Sequence, residues 1–199
     1  YYEKNISEYV IKNLKSWDIF LDVWANLWYY SIISSKKIWE SWRVYAYEPV
    51  KENIKYLKEN IRINNISNVF LFEHGLWNKN EEINIYINPE NNWNDSIVLE
   101  KSDGIQEKIS IKRFDDIQNN IETWKIRFIK IDVEWYEFEV MKWMKKTLEE
   151  NEWIEIILEF SPDFYKNFSE VYVQEFIDFL DINWYKSYIF NNNSLTQIN

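Results

Sequence analysis

The chain has 199 residues, a length that suits one domain with a sizeable core. Its 33 acidic and 23 basic side chains give a net charge of −10, which argues against a nucleic-acid-binding module or a polybasic membrane anchor. With no cysteine and one histidine, the chain excludes disulfides, zinc–thiolate sites, cysteine nucleophiles and multi-histidine metal sites. Neither a signal peptide nor a membrane-spanning stretch of about 18 apolar residues is visible, so we expect a single cytoplasmic domain over residues 1–199.

Strands and helices alternate along the chain. Apolar spacing predicts a helix over residues 6–15 and an amphipathic helix whose buried stripe is Val50, Ile54, Leu57 and Ile61. Further helices are predicted at about 136–149 and 171–181. Strands are predicted at 19–21, 43–47, 69–73, 83–88, 109–111, 127–133, 154–160 and 185–190. This is the α/β pattern of a mostly parallel central sheet with helices on both faces.

Acidic residues follow four of the predicted strands. In an open parallel sheet, ligands bind beyond the carboxyl ends of the strands, so these residues point to one shared site. They are Asp22 after the first strand, Glu48 and Pro49 after the second, Glu73 and His74 after the third, and Asp132 and Glu134 after a later one. Acids in this position favour a ligand that carries positive charge or paired hydroxyls. Glu48 suits a ribose diol, because one carboxylate can accept two hydroxyl hydrogen bonds.

The composition is anomalous in one respect, because the chain has 2 glycines and 12 tryptophans. Average usage of about 7% glycine would give roughly 14 in this length. The loop after the first strand reads D-V-W-A-N-L-W-Y-Y-S. A turn that brings its backbone close to a ligand normally needs glycine, whereas Trp24 and Trp28 would fill that space. We therefore expect backbone strain or displaced indoles around positions 24, 28 and 135.

Three motifs appear when tryptophan is replaced by glycine in the sequence. They are D-V-G-A-N-L-G-Y-Y-S at 22–31, I-G-E-S-G-R-V-Y-A-Y-E-P at 38–49, and D-V-E-G-Y-E at 132–137. In this order they closely resemble the FkbM-type S-adenosylmethionine-dependent methyltransferases, most strongly over residues 16–162. The resemblance implies a Rossmann-like class I methyltransferase fold and S-adenosyl-L-methionine as cofactor. It also implies methyl transfer to a hydroxyl of a sugar, glycan or secondary metabolite.

The resemblance implies roles for the first loop and for the end of the second strand. The amino-acid end of the cofactor would be cradled at a helix N-terminus by loop residues Asp22, Trp24, Ala25, Asn26, Trp28 and Tyr29. Glu48 would bind the ribose hydroxyls, and Pro49 would fit the first turn of the next helix. The structural alternatives are a plain turn for the loop and, for Glu48, a solvated acid before a helix.

The later strand ends would complete the site. Glu73 and His74 lie where this fold contacts adenine, and His74 is also a candidate general base, although a lone histidine is more often structural. By resemblance, Asp132 lies beside the methionine end of the cofactor and the transferred methyl group. Glu134 would accept the hydrogen bond or the proton of a substrate hydroxyl.

Two alternatives concern the carboxylates Asp132 and Glu134. They could instead form a salt bridge with Lys130 or Lys142. They could also hold a divalent metal, but because no further ligands are evident we predict no metal.

The tryptophans suggest a hypothesis about decoding. Six of them stand where the family carries or tolerates glycine, at positions 24, 28, 39, 42, 135 and 143, and others at 17, 93 and 184 lie at turns or after a helix. The hypothesis is that the gene uses UGA for glycine and was translated with a table that reads UGA as tryptophan. The other explanation is a truly tryptophan-rich homologue. Its cofactor pocket would be blocked by Trp24 and Trp28, making it a non-catalytic Rossmann-like binding domain.

Two other functions are alternatives to methyl transfer. A nicotinamide-dependent oxidoreductase predicts Gly-x-Gly-x-x-Gly, whereas the loop G-A-N-L-G has its glycines four residues apart. A partner module of a glycosyltransferase would lack chemistry of its own. The expected acceptor is a small molecule or glycan, not nucleic acid, and the oligomeric state stays open.

Overall fold

The computed structural model describes residues 3–87, 105–133, 136–158, 170–183, 185–191 and 194–197. The chain divides into two compact units, Asn13–Glu159 and a second that combines Tyr1–Lys12 with Phe160–Asn199. The single domain over residues 1–199 stays a prediction, because compactness alone does not decide whether two units fold independently.

A five-stranded parallel sheet forms the centre of the larger unit. Its strands are β1 (Ile19–Val23), β2 (Val44–Tyr47), β3 (Val69–Phe72), β7 (Ile126–Ile131) and β8 (Glu155–Leu158), in the spatial order β3-β2-β1-β7-β8. Every residue of β1 is buried, as is nearly all of β7, whereas the edge strands β3 and β8 are mostly half-buried. Strands covered on both faces are expected to be almost continuously apolar, which agrees with the apolar run from which β1 was predicted. Strand β7 is less regular, because Arg127 and Lys130 interrupt its apolar residues.

Helices alternate with these strands, as the sequence predicted. They are α2 (Tyr29–Lys37), α3 (Lys51–Ile63), α4 (Phe114–Ile117), α5 (Glu137–Lys142) and α6 (Lys145–Glu149), with a 3-10 turn at Thr123–Lys125. The stripe predicted for α3 is largely confirmed, because Val50, Ile54 and Leu57 are buried and Ile61 is half-buried. Helix α2 lay outside the predicted elements.

The prediction of a single helix over 136–149 is wrong in one respect, because the segment forms two helices, α5 and α6, with a break between them. Trp143 ends α5, and its carbonyl oxygen accepts the backbone N–H of Asp115. The Asp115 carboxylate in turn accepts the backbone N–H groups of Lys146 and Thr147, at 2.9 Å and 3.2 Å. It thereby caps α6 from outside the helix. No local sequence pattern announces a cap from a residue this distant.

A second sheet of the larger unit has three strands, β4 (Gly75–Leu76), β5 (Glu81–Ile87) and β6 (Ile105–Lys112), in the order β4-β6-β5. Strands β5 and β6 pair antiparallel, and β4 pairs with β6 in parallel. The prediction placed β5 correctly, gave β6 too short a range at 109–111, and missed β4, which has two residues.

The smaller unit contains helices α1 (Lys4–Asn13) and α7 (Glu170–Ile182) and an antiparallel pair, β9 (Tyr188–Asn191) and β10 (Ser194–Gln197). The rings of Tyr9 and Phe190 meet edge to face, with centroids 5.5 Å apart. The strand predicted at 185–190 corresponds to β9, and β10 was not predicted. Across the described ranges, the helices are all too short or too polar to cross a membrane.

Candidate active site

The carboxyl ends of four parallel strands meet at one edge of the five-stranded sheet. Val23, the last residue of β1, pairs with Tyr47 of β2 and with Ile131 of β7, and Tyr47 pairs with Phe72 of β3. The residues that follow these ends are Trp24, Glu48, Glu73 and Asp132. The structure therefore brings together the four strand ends that the sequence singled out. The prediction that Asp22 follows the first strand is wrong, because Asp22 lies inside β1, where it is buried.

The loop after β1 is tied to the end of β2 through its backbone. The N–H of Ala25 donates to the carbonyl oxygen of Tyr47 at 3.0 Å, and the N–H of Asn26 donates to Oε2 of Glu48 at 2.7 Å. Ala25 also belongs to a buried cluster with Leu57 of α3. These contacts fix the path of the loop between β1 and α2.

Glu48 is fully buried and serves two segments at once. Besides Asn26, its carboxylate accepts the N–H of Val50 at 2.8 Å and the side-chain amide of Asn53 at 3.5 Å, both on Oε1. Glu48 therefore holds the first loop and the start of α3. Binding of ribose hydroxyls by Glu48 stays a prediction. Pro49 lies before Val50, the N-cap residue of α3, and not in the first turn as expected.

The backbone of the first loop adopts conformations that suit glycine. Trp24 has φ 64°, Asn26 has φ 51° and Trp28 has φ 149°, so three of the five non-glycine residues with positive φ in the described chain lie here. Asparagine tolerates this region, but for a bulky side chain such a conformation costs on the order of 1–3 kcal/mol. The strain expected at positions 24 and 28 is confirmed, and position 135 lies outside the described residues.

The indole of Trp24 fills the space between this loop and the start of β4. Its exposed fraction is 4%. A methyl group added to Gly75 would lie 2.5 Å from Cζ3 of Trp24, closer than real Cβ contacts come. Trp28 is partly exposed and meets the ring of Tyr29, the first residue of α2, edge to face at 6.0 Å. Only the Trp24 indole therefore occupies the interior of the site.

His74 lies in an aromatic environment beyond the end of β3. Its ring is 5.4 Å from that of Tyr47 and 5.9 Å from that of Phe72, and 9% of the residue is exposed. Burial, with a smaller contribution from the charge of Lys112, lowers the pKa of His74 to about 4, so the imidazole is neutral at pH 7. Within the described part of the chain, its buried Nε2 has no hydrogen-bond partner. A ligand that bonded to Nε2 would remove the cost of that unsatisfied atom.

A cluster of polar side chains, most of them buried, lies beneath the site around the neighbouring strands β1 and β7. Asp22 and Lys130 are neighbours in the sheet, and Ser31 of α2 donates its hydroxyl to Oδ2 of Asp22 at 2.6 Å. Nζ of Lys130, a residue with an exposed fraction of 3%, lies 2.9 Å from Oδ2 of Asp132. Burial raises the pKa of Asp22 to about 6, against the opposing effects of Ser31 and Lys130. The salt bridge considered for Asp132 is therefore present, with Lys130.

The remaining predicted residues are Glu73, Lys142 and Glu134. Glu73 forms an exposed ion pair with Lys58 at 2.5 Å, and Lys142 pairs with Glu139. Glu134 lies outside the described residues. Within those residues, no group of three histidine, cysteine or acidic side chains is placed to hold a metal ion.

Sequence reasoning missed three residues that shape the site. Tyr47 stacks on Phe72 and contacts His74, Ser31 binds Asp22, and Gly75 lies against Trp24. Gly75 carried a usable signal, since it is one of only two glycines in the chain. Ser31 is the last residue of the first motif, at 22–31. Tyr47 had no signal beyond its place at the end of a strand.

The residues at this edge fit S-adenosylmethionine only in part. The unpartnered Nε2 of His74 and the carboxyl groups of Asp22 and Asp132 suit a ligand that has polar base atoms and a sulfonium cation. The Trp24 indole does not fit, because it occupies the space beside Gly75 that the loop would otherwise leave for a ligand.

The strand order β3-β2-β1-β7-β8, all parallel and with the site at the carboxyl ends, defines a Rossmann-like class I methyltransferase fold. The model of the methyltransferase FkbM domain matches residues 17–190, and the chain belongs to that family. The protein is thus an S-adenosylmethionine-dependent methyltransferase, and its cofactor is S-adenosylmethionine. The resemblance drawn from the three motifs is confirmed.

Solved structures support the same fold. A Streptococcus mutans protein provisionally named a methyltransferase, solved in complex with SAH, is 16% identical with a TM-score of 0.57, over 99% of this chain and 91% of that one. A provisionally named rRNA methylase of Clostridium thermocellum is 11% identical with a TM-score of 0.55, over 99% and 96%. A provisionally named S-adenosyl-L-methionine-dependent methyltransferase of Methanococcus maripaludis is 14% identical with a TM-score of 0.51, over 97% and 82%. No curated protein matches the chain.

Proposed function

We propose that the protein methylates a hydroxyl oxygen of a small molecule or glycan, such as a sugar or a secondary metabolite. The observation that carries the proposal is the position of Asp132. This residue follows β7, donates its N–H to the carbonyl of Val23 at 3.2 Å, and keeps a third of its side chain exposed at the strand-end edge. A carboxylate there is partly exposed to solvent, from which an acceptor would enter.

The proposed cofactor contacts come from the residues that the sequence singled out. The first loop and the N-terminus of α2 would receive the amino-acid end, because exposed backbone N–H groups there favour a carboxylate. Glu48 would bind the ribose hydroxyls. Glu73 and His74 would lie at the adenine, where Nε2 of His74 lacks a partner among the described residues.

A hydroxyl acceptor must lose its proton as its oxygen is methylated. The bound cofactor supplies a methyl group on a positively charged sulfur, and the chain contributes orientation and a proton acceptor. His74 is a weak base, since its pKa is about 4. Asp132 is already paired with Lys130. We therefore assign the proton to Glu134, two residues beyond Asp132, with Asp132 orienting the acceptor.

Charge argues against one class of acceptor, nucleic acid. The net charge of −10 disfavours a phosphate backbone as substrate. The Clostridium thermocellum protein named as an rRNA methylase shares the fold with this chain, and fold does not determine substrate. We further propose that the protein acts in the cytoplasm.

One observation favours a second function, a binding domain without chemistry. The Trp24 indole is buried against Gly75 and fills the interior of the site. If this side chain is present in the native protein, cofactor entry requires it to move.

The test is methyl transfer from radiolabelled S-adenosylmethionine to a panel of monosaccharides, phenolic alcohols, primary amines and RNA. It uses the chain as written and a version with all twelve tryptophans changed to glycine. Labelled ether product that disappears in Asp132→Asn, but persists in the matched surface variant Asp116→Asn, supports the proposal. Folded protein that binds S-adenosylhomocysteine yet labels only amines or RNA would refute hydroxyl methylation.

A further inference from the structure

The positions of the tryptophans are those that a fold gives to glycine. Nine of the twelve lie in described ranges, and none of the nine is inside an α-helix or a β-strand. They occupy turns, bends, irregular segments, helix ends and the 3-10 turn, at positions 17, 24, 28, 39, 42, 77, 124, 143 and 153. Tryptophan is normally enriched in strands, whereas glycine is the residue of turns and helix ends.

Most of these indoles also contribute little to a core. Six of the nine expose more than a third of their surface, and Trp153 exposes 78%. Tryptophan is among the more buried residues on average. Several gather on the surface instead, where Trp17 meets Trp39 at 6.3 Å and Lys125 lies over Trp42 and Trp124. Core packing therefore does not account for where the tryptophans stand.

The first loop gives the strongest observation. Positions 24 and 28 have φ 64° and φ 149°, values that L side chains rarely adopt and that glycine adopts freely. The Trp24 ring also takes up the room beside Gly75, the one glycine within the described ranges. At position 24, the backbone conformation and the crowding of the indole against Gly75 both favour glycine. Glycine at 24 would remove the backbone strain and the crowding.

We infer that positions 24 and 28 are glycine in the protein as its own cells make it, because the gene encodes both with UGA and those cells read UGA as glycine. The inference stands on the backbone geometry of the first loop and on the placement of the tryptophans.

Peptide masses of the protein isolated from its source cells test the inference. Trypsin releases Ser16–Lys36, which carries Trp17, Trp24 and Trp28, and Val44–Lys51, which carries no tryptophan and serves as the internal control. We expect the control at the mass of its printed sequence and Ser16–Lys36 lighter by at least two tryptophan-to-glycine differences, with fragment ions placing glycine at 24 and 28. Tryptophan at either position would overturn the inference.

Discussion

Nζ of Lys130 lies 2.9 Å from Oδ2 of Asp132, but the two side chains differ in exposure, with 4% for the lysine and 33% for the aspartate. A buried ammonium needs a compensating charge, whereas water can solvate a carboxylate that is one-third exposed. The ion pair is therefore asymmetric. Asp132 stabilises the folded chain mainly by neutralising Lys130, while Lys130 fixes the direction in which Asp132 presents its carboxylate.

The asymmetry predicts unequal effects on stability. Asp132→Asn leaves the Lys130 ammonium buried with Asp22 as a neighbouring acid, so we expect a loss of about 2–3 kcal/mol in the free energy of unfolding. Lys130→Met removes the buried charge and leaves Asp132 to water, so we expect a change within about 1 kcal/mol. Urea denaturation measures both. A larger loss in the free energy of unfolding for Lys130→Met than for Asp132→Asn would contradict the asymmetry of the ion pair.

Asp22 predicts one pH dependence of stability. Its pKa is raised from 3.8 to about 6 by burial, so between these values the folded chain holds a proton that the unfolded chain releases. The contribution of Asp22 is fully present below about pH 4, and about 3 kcal/mol of it is lost as pH rises to 6. Asp22→Asn keeps an acceptor for Ser31 and lacks this dependence. The unfolding free energy of the original chain, relative to Asp22→Asn, should therefore fall between pH 4 and 6. Parallel curves would contradict the prediction.

His74 predicts a dependence of the opposite sign. Its pKa is lowered from 6.5 to about 4 in the folded chain, so the unfolded chain binds the extra proton first. The contribution of His74 is present above about pH 6.5 and is lost as pH falls toward 4. Because the chain has one histidine, its C2–H proton resonance needs no assignment. We expect a midpoint near pH 4 in the folded protein and an ordinary midpoint in 8 M urea, roughly 6.5. A folded midpoint above 6 would mean that the ring is solvated.

Asp115 predicts a localised effect on helix α6. Its carboxylate accepts the backbone N–H groups of Lys146 and Thr147 and the Thr147 hydroxyl at 2.8 Å. Asp115→Ala should lower the unfolding free energy by about 1–2 kcal/mol, as for loss of an N-cap. Glu149→Ala is the control, because its pair with Lys145 on the same helix is exposed and contributes little, within about 0.5 kcal/mol. Equal losses in the two variants would show that the cap does not stabilise α6.

The sequence predicted the features that depend on local pattern. Buried strands such as β1 and β7 and the amphipathic helix α3 were found from apolar spacing, and the position of Glu48 and Asp132 after strand ends was found from topology. The break before α6 could not be predicted, because Asp115 caps that helix from about 30 residues away. Likewise, only the folded backbone shows that Trp24 has a positive φ and that its ring lies on Gly75.

The contact between Trp24 and Gly75 predicts a non-additive pair of substitutions. In the chain as written, a methyl group on Gly75 would meet Cζ3 of Trp24 at 2.5 Å, so Gly75→Ala should cost about 1–3 kcal/mol through overpacking. In a Trp24→Gly background the ring is gone, and because Gly75 does not have a positive φ, alanine is compatible with its backbone. There we expect Gly75→Ala to change the unfolding free energy by less than about 0.5 kcal/mol. A double-mutant cycle by urea denaturation gives the coupling directly. Equal costs of Gly75→Ala in both backgrounds would mean that the indole does not occupy this space, which would also remove the steric reason for a blocked cofactor site.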